Sequence, residues 1–188
     1  MTDFAIAFGA NLPSGELSPM ENLNQALKKL CDFRSIQFRR RSRWYRSPAY
    51  PPGSGPDFVN GVAIFSGDLA AYEVLEMLHQ TEGMLGRERE WRWAPRVCDL
   101  DLLFADQQIL PDRATCLDWI ELDRGKAQTV EPPHLILPHP RLQDRAFVLG
   151  PLHEIAPDWI HPVTGLNVDE MLRRLPDVEL QQLEPIEE

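Results

Sequence analysis

Short apolar runs with alternating polarity along the first 104 residues predict four β-strands. Residues 4–8 form a short apolar run, and residues 96–104 form a longer one. Between them, residues 36–45 and 57–66 alternate apolar and polar positions with the period of two that is typical of strands. A Pro- and Gly-rich segment at 47–56 joins these two inner strands and predicts a loop.

Apolar positions at helical spacing predict helices between the strands. The first helix begins where Ser18 caps, Pro19 takes the first helical position and Glu21 closes a capping box. A second helix is predicted over residues 69–85, and a later one over residues 168–175. The apolar stripe of the first helix consists of Leu23, Leu27 and Leu30.

The order of these elements predicts the fold class. A β-α-β-β-α-β order is typical of an α+β, ferredoxin-like sandwich, in which both helices lie on one face of an antiparallel sheet. We expect one domain over residues 1–176 with additional C-terminal elements and an inserted loop at about 112–131. Residues 177–188 are expected to be an acidic tail, of which residues 179–188 are frayed.

Composition and charge narrow the function classes. The chain has 188 residues, of which 43% are hydrophobic and 26% charged, as in an ordinary soluble globular protein. A formal net charge of -10 disfavours nonspecific binding to nucleic acid or to an anionic membrane. Three widely spaced cysteines suggest neither disulfides nor zinc, and no signal peptide or membrane span is evident. We therefore expect a cytoplasmic protein that binds neither nucleic acid nor membranes.

The most informative chemistry lies in the fourth predicted strand. Asp99 and Asp101 are two residues apart, so in a strand both carboxylates point to one face while Leu100 and Leu102 point to the other. Mg²⁺ is usually held by one or two carboxylates together with substrate phosphates. Arginines just upstream would meet the rest of a polyphosphate. They are Arg87, Arg89, Arg92 and Arg96.

A structural interpretation of the same residues stays open on spacing alone. Aspartates and arginines also form ion-pair networks that serve only the fold. The apolar surroundings favour a cation, because an unpaired carboxylate in a mostly buried strand is costly.

Several motifs together resemble one family, 6-hydroxymethyl-7,8-dihydropterin pyrophosphokinase (HPPK). The central match is RWAPRVCDLDLL at residues 92–103, and FGANL at 8–12 resembles the family's first strand. Segments 45–48 and 57–60 resemble its pterin site, and 82–89 resembles its flexible catalytic loop. LPHPR at 137–141, with Arg145 and Phe147, completes the set in the expected order.

The resemblance implies transfer of pyrophosphate from ATP to a pterin alcohol in folate biosynthesis, leaving AMP and the pterin diphosphate. Asp99 and Asp101 would bind two Mg²⁺ ions, and Arg87, Arg89 and Arg96 would join them in catalysis. ATP would be the co-substrate in a protein that we expect to be monomeric. The implied ATP-binding residues are Glu82, Arg87, Arg96, His139 and Arg145.

The family's second substrate is a flat aromatic ring, which implies a stacking site. Phe58 and Phe147 would stack on the pterin, and Asn60 would read its amide and amino edge. Trp93 would cover the ring. The backbone of Ser47, Pro48 and Ala49 would complete the site.

Three features depart from the family pattern. Phe58 stands where the family often has Tyr, and His79 stands where some members have a polar amide, which leaves a contact of His79 with the nucleotide open. The 112–131 segment is longer than the usual connection, and it is either a surface excursion or a partner-binding element.

Other classes of function remain as alternatives. A two-metal phosphodiesterase or nucleotidyl transferase would use the same aspartates but has no need for the aromatic and Asn60 set. A non-enzymatic ferredoxin-like binding module, such as an RNA-binding sheet, would need exposed aromatics and a basic face. An inactive family member would not need the arginines and aspartates that this chain retains.

Overall fold

The sheet is built around its first strand, β1, which has a neighbour on each side. In this computed structural model, which describes residues 1–49, 53, 55–86, 96–123 and 130–187, the strand order is β5-β1-β4-β3-β6, and β2 also pairs with β4. All of the pairs are antiparallel, as the sequence predicts. The strands are β1 (Thr2–Ala10), β2 (Ile36–Arg41), β3 (Tyr45–Ser47), β4 (Phe58–Gly67), β5 (Asp99–Ala105) and β6 (Glu184–Pro185).

Helices cover both faces of this sheet. The first two pack against one face, and those that follow β5 extend the fold to the other face and to its edge. The helices are α1 (Pro19–Asp32), α2 (Ala71–Met84), α3 (Arg113–Glu121), α4 (Ala146–Ile155), α5 (Val168–Leu172) and α6 (Asp177–Gln181), with a 3-10 turn at Leu142–Asp144.

The first face follows the predicted sandwich. Phe4, Ile6 and Phe8 of β1 alternate with smaller residues and bury their side chains beneath α1 and α2, together with Leu100 and Leu102 of β5. The predicted capping box at the start of α1 is confirmed: the Ser18 backbone N–H donates to Glu21 Oε2 at 2.8 Å, and the Glu21 backbone N–H donates to Ser18 Oγ at 3.4 Å. This helix therefore begins where the sequence predicts.

The second face carries a helix that the pattern does not predict. α4 packs Val148, Leu149 and Leu152 against Ala5 and Ala7 of β1. It contains Gly150 and Pro151, which are residues that usually interrupt a helix, so its apolar pattern alone did not identify it. Both faces of β1 are consequently buried.

The predicted strand at residues 36–45 is two strands, and both pair with β4. The chain leaves β2 at Ser42, whose backbone N–H donates to the carbonyl of Val62 at 2.9 Å and whose hydroxyl accepts the N–H of Val62 at 3.0 Å. Trp44 then turns into the first core, where only 2% of its surface is exposed. At this break, the Ser42 hydroxyl thus accepts a backbone hydrogen bond that a backbone carbonyl would accept in a regular β-ladder.

Part of the expected 112–131 loop is the helix α3. Cys116 of this helix is buried against Ile136 and Val163 in a small separate cluster. Arg113 fixes the start of the helix by donating to the carbonyls of Pro162 and Val163 at 2.7 and 2.6 Å. The segment therefore packs on the body of the protein over its first half, whereas residues 124–129 lie outside the described residues.

The expectation of a frayed C-terminal end is wrong. After α6 the chain adds β6 to the outer edge of β3, where Tyr45 pairs with Pro185. The Ile186 backbone N–H donates to the carbonyl of Trp44 at 2.8 Å, and the Ile186 side chain packs against the first core. Backbone pairing and apolar contact hold this end despite its acidic residues.

The close packing of Gly61 against Trp44 leads to a testable prediction about the first core. A Cβ at Gly61 would lie 2.5 and 2.6 Å from two ring carbons of Trp44, whose indole N–H is held by Asn24 at 3.1 Å. We expect Gly61→Ala to lower the free energy of unfolding by about 1–3 kcal/mol through overpacking. Gly83→Ala is the control, because a Cβ there meets nothing within 4 Å and alanine favours the helix. Urea unfolding of both variants measures the difference, and equal midpoints would contradict it.

Candidate active site

Two small residues of β1 separate two groups of polar side chains. Gly9 pairs with Asn60 of β4 on one side and with Asp99 of β5 on the other, and Ala7 likewise pairs with Asp101. Residues directly opposite one another in antiparallel strands point to the same face. Asn60 and the two aspartates therefore flank Gly9 and Ala7 on one face of the sheet. We call Gly9 and Ala7 the β1 shelf.

The absence of a side chain at Gly9 opens the space between the flanks. A Cβ at this position would lie 3.4 Å from Asn60 Oδ1 and 4.0 Å from the ring of Phe58. The amide oxygen of Asn60 and the edge of Phe58 therefore both border the space above Gly9. A larger residue here would fill the room that a bound ligand needs.

The aspartates alternate with buried leucines as the sequence predicts. Leu100 and Leu102 are 3% exposed and belong to the first core, whereas the side chains of Asp99 and Asp101 are 18% and 39% exposed on the opposite face. Among the residues that the structure describes, no set of three or more His, Cys, Asp or Glu side chains forms a metal site. This pair supplies two carboxylates, a number that suits a cation which also binds substrate phosphates.

Each aspartate lies beside an arginine. Arg96 Nη1 contacts Asp99 Oδ2, and Arg145 Nη1 lies 3.7 Å from Asp101 Oδ2. Burial lowers the pKa of Arg145 from its ordinary value, and the two aspartates oppose that shift. The guanidinium of Arg145 also lies 5.7 Å from the ring centre of Phe147. Neighbouring cations therefore offset the repulsion between the two carboxylates.

His139 lies next to this charged group and is neutral. Its backbone N–H donates to the carbonyl of Leu103 at 2.8 Å, which fixes the loop to the outer edge of β5. Its Nδ1 accepts the backbone N–H of Arg141 at 3.1 Å, so the proton of the neutral ring is on Nε2. Burial, followed by the charge of Arg145, lowers the pKa of His139 to about 3. The ring can therefore donate one hydrogen bond through Nε2.

The remaining polar residues of the site lie on β3 and β4. The Asn60 amide nitrogen donates to Ser47 Oγ at 2.9 Å, and both residues are buried. This bond orients the amide so that its oxygen faces the β1 shelf. Phe58 is half-buried at the start of β4, Ala49 is buried and Pro48 is exposed.

Glu82 has a different position from the other predicted ATP-binding residues. It lies on α2, only 1% exposed, and its Oε1 accepts the backbone N–H of Leu100 at 2.7 Å. Its carboxylate therefore holds β5 between the two aspartates. His79 lies on the exposed side of the same helix.

Four predicted residues lie outside the described residues: Arg87, Arg89, Arg92 and Trp93. The structure also identifies residues that the sequence argument did not assign to the site. Asn11 bonds to Arg96, and Arg141 bonds to Asp144 and to the carbonyl of Leu122. Gly9 and Asn11 both belong to the FGANL motif, and this motif is the feature of the sequence that could identify them as part of the site.

The sequence profile of the family 7,8-dihydro-6-hydroxymethylpterin-pyrophosphokinase (HPPK) matches residues 5–157. The chain belongs to the HPPK family. A relative from Synechocystis sp., named 2-amino-4-hydroxy-6-hydroxymethyldihydropteridine pyrophosphokinase, is 35% identical over 86% of this chain and 72% of its own length. A protein of the same name from Pseudomonas aeruginosa is 33% identical over 95% of this chain and 94% of its own length.

A solved structure shares the fold of this HPPK family member. Wild-type HPPK-DHPS from Plasmodium falciparum aligns over 92% of this chain with a TM-score of 0.66 and 12% sequence identity. This chain covers 44% of that longer protein, and at this identity the likeness concerns the fold alone. Over its described residues, this chain has no helix that is both long and apolar enough to cross a membrane.

The neutral state of His139 is testable. We expect its imidazole to remain neutral at pH 5, because the folded-state pKa of about 3 lies below the ordinary value of 6.5. The stability that this neutral ring contributes is then complete above pH 6.5 and is lost as the pH falls toward 3, since the unfolded chain binds the proton more readily. Imidazole ¹⁵N chemical shifts measure the state, and His139→Gln assigns the signal. A protonated His139 ring at pH 5 would contradict the geometry.

Proposed function

We propose that this chain transfers the pyrophosphoryl group of ATP to 6-hydroxymethyl-7,8-dihydropterin, giving AMP and the pterin diphosphate. Membership of the HPPK family and relatives that carry this enzyme's name support the reaction. A relative from Dictyostelium discoideum, 30% identical, is named a folic acid synthesis protein, which supports a role in folate biosynthesis. The observation that carries the proposal is the β1 shelf, which sets Asn60 and Phe58 opposite the two aspartates.

Asp99 and Asp101 are the proposed ligands of two Mg²⁺ ions that enter with ATP. Two carboxylates on one strand face are the hard oxygen donors that this ion prefers in company with substrate phosphates. Bound there, Mg²⁺ would neutralise part of the negative charge on the phosphates of ATP.

Arg96 and Arg145 are proposed to bind the phosphates of ATP. Both guanidiniums lie beside the aspartates, so each would be close to the phosphates of a nucleotide bound there with its cation. A guanidinium can bind two phosphate oxygens through two parallel hydrogen bonds. Each arginine would then pair with phosphate while its aspartate would pair with the cation.

Three further contacts to the nucleotide belong to the proposal. His139 donates from Nε2, and as a neutral ring it adds no cation to the site. Arg87 and Arg89 are proposed to stabilise the charge of the transferring group. Glu82 is assigned to holding β5 through Leu100, because its buried carboxylate already accepts that N–H.

The pterin is proposed to lie above Gly9. Asn60 Oδ1 faces this space and can accept from the amide and amino N–H groups of the ring, while Ser47 keeps the amide in that orientation. Phe58 and Phe147 supply stacking surfaces, with Trp93 as a cover and the backbone of 47–49 as a wall. The hydroxymethyl group of the pterin then points toward the aspartates across β1. Its oxygen attacks the β-phosphorus of ATP in line with the departing AMP.

The aspartates provide the central test of this function. We expect Asp99→Asn and Asp101→Asn each to lower AMP formation, in the presence of ATP, Mg²⁺ and the pterin alcohol, by about a hundredfold or more. Asp106→Asn is the matched control, because Asp106 follows the far end of the same strand and its φ of 46° suits asparagine. Full activity of either site variant would contradict the proposal, and AMP formation without pterin would favour a phosphodiesterase.

The same variants should change stability little. Since each aspartate lies beside an arginine, neutralising it removes an attraction as well as a repulsion, and no gain in stability is expected. Both pairs are partly exposed, so the free energy of unfolding should change by no more than about 1 kcal/mol. Thermal melting without metal measures this effect, and unfolding of both variants would identify the aspartates as a structural network.

Asn60 provides a test of the pterin site. We expect Asn60→Ala to weaken binding of the pterin alcohol by about 1–3 kcal/mol, because donors on the buried ring lose their acceptor. Affinity for an ATP analogue should not change. Ser47→Ala should cause a smaller loss, since it keeps the Oδ1 acceptor and removes only the bond that orients it. Calorimetry on both ligands decides, and an equal loss for ATP and pterin would contradict this placement.

Four other expectations from the sequence stay predictions for this chain. They are a cytoplasmic location, a monomeric state, the absence of binding to nucleic acid and the absence of binding to membranes.

A further inference from the structure

Arg141 lies in the loop between His139 and Arg145, the two residues of this region that are proposed to bind ATP. Only 15% of its side chain is exposed. Its Nη1 pairs with Asp144 Oδ2 at 3.2 Å, and its Nη2 donates to the carbonyl of Leu122 at 2.8 Å. Two partners within the protein therefore hold this guanidinium, and one of them belongs to the segment that contains α3.

The carbonyl that Arg141 binds is at the end of α3. Leu122 follows Glu121, the last residue of that helix. The last carbonyls of a helix have no partner within the helix, and they carry the negative end of its dipole. An arginine is a favourable partner for such a carbonyl. Arg141 therefore stabilises the end of α3, and α3 in turn holds the Arg141 side chain in place.

α3 is also attached to the chain that leads into His139. Cys116 of this helix is 0% exposed, and its thiol can donate to the carbonyl of Leu110 at 3.1 Å or of Leu137 at 3.3 Å. These two leucines also exchange backbone hydrogen bonds of 2.9 and 3.0 Å, and Leu137 comes two residues before His139. α3 consequently contacts the same loop on both sides of His139, through Cys116 before it and through Arg141 after it.

The backbone of Arg141 fixes the ring of His139. The Arg141 N–H donates to His139 Nδ1 at 3.1 Å, which leaves the proton of the neutral ring on Nε2. The Leu142 N–H donates to the carbonyl of His139 at 3.0 Å and closes a turn around these residues. Because Nδ1 is bound by a backbone group of Arg141, the direction of the Nε2 donor depends on where the Arg141 side chain is anchored.

We infer that Arg141 is a positioning residue for nucleotide binding and that α3 serves the active site as the anchor of its side chain, an inference that rests on the proposed function. The sequence leaves residues 112–131 as either a surface excursion or a partner-binding element. The inference gives the described part of this segment a third role, which is to hold His139 and Arg145 in position. Arg141 touches no substrate in this account, because the protein already binds its guanidinium.

Two measurements separate positioning from a general loss of stability. Calorimetry gives the Kd of α,β-methylene ATP with Mg²⁺, and imidazole ¹⁵N shifts report which nitrogen of His139 carries the proton in the ligand-free protein. Arg141→Met keeps a long side chain but removes its donors. We expect this variant to raise the Kd by about tenfold and to move the His139 signals toward a mixture of the two neutral tautomers. At saturating ATP, kcat should stay within about twofold, since Arg141 touches no reacting atom.

Arg113→Met is the matched control. Arg113 also donates two guanidinium hydrogen bonds to backbone carbonyls, but at the opposite end of α3. Cys116 holds the helix between the two ends, so the effect of releasing Arg113 should not reach the loop of His139. We expect this variant to lower the melting temperature, to keep the Kd within about twofold and to leave the His139 signals unchanged.

Asp144→Asn separates the two partners of the Arg141 guanidinium. This variant should raise the Kd less than Arg141→Met does, because the bond from Arg141 to the carbonyl of Leu122 remains. An equal rise in both variants would show that α3 is not the anchor, and it would overturn the inference.

The other outcomes are equally decisive. A raised Kd in Arg141→Met with unchanged His139 signals would make Arg141 a direct ligand of the nucleotide and would overturn the inference, as would an unchanged Kd or an equal effect in Arg113→Met. Failure of the wild type to bind the ATP analogue would overturn the proposed function instead, whereas the His139 signals would still test the contact with Arg141. If Arg141→Met does not fold, Arg141→Lys gives the same test, because one ammonium group does not reproduce the two directed bonds of a guanidinium.

Discussion

The antiparallel register of β1 with β4 and β5 is the constraint on which the site depends. A shift of one residue in either pairing would move every side chain of that strand to the other face. Asn60 or the aspartates would then enter the core beneath α1 and α2, and Phe4, Ile6 and Phe8 would lose their buried contacts. The packing that stabilises the sheet therefore also determines which polar groups meet above the β1 shelf.

Alternation of size along β1 serves both faces. Its large residues fill the core on the side of α1 and α2, whereas Ala5, Ala7 and Gly9 present a low surface on the other side. α4 packs against Ala5 and Ala7, whereas Gly9 of the β1 shelf lies toward the end of the strand. The same strand thus supplies core residues to one face of the sheet and, in the proposed function, the surface beneath the pterin on the other face.

The sequence predicted the parts of the fold that depend on local pattern. The strand order through β5, the capping box at Ser18 and the shared face of Asp99 and Asp101 all follow from periodicity or capping chemistry. The sequence pattern does not predict α4, because Gly150 and Pro151 are residues that usually interrupt a helix. In the structure, tertiary packing of the apolar residues of α4 outweighs the cost of these two residues. The docked C-terminal end and the break at Ser42 depend on partners far along the chain, which a local pattern does not contain.

The site contains two kinds of polar contact, ion pairs and buried hydrogen bonds, which differ in how much free energy is needed to break them. Ion pairs with partial solvent exposure contribute little net free energy, so Arg96 and Arg145 neutralise the aspartates without holding them tightly. The asparagines lie at the other extreme: Asn11 and Asn60 are buried, and breaking their hydrogen bonds is costly. In the proposed function, the contacts that change are therefore the weak, partly exposed ion pairs, whereas the contacts that maintain the geometry are the buried hydrogen bonds between neutral groups. The difference follows from solvation, because water weakens a partly exposed ion pair and is excluded from a buried amide.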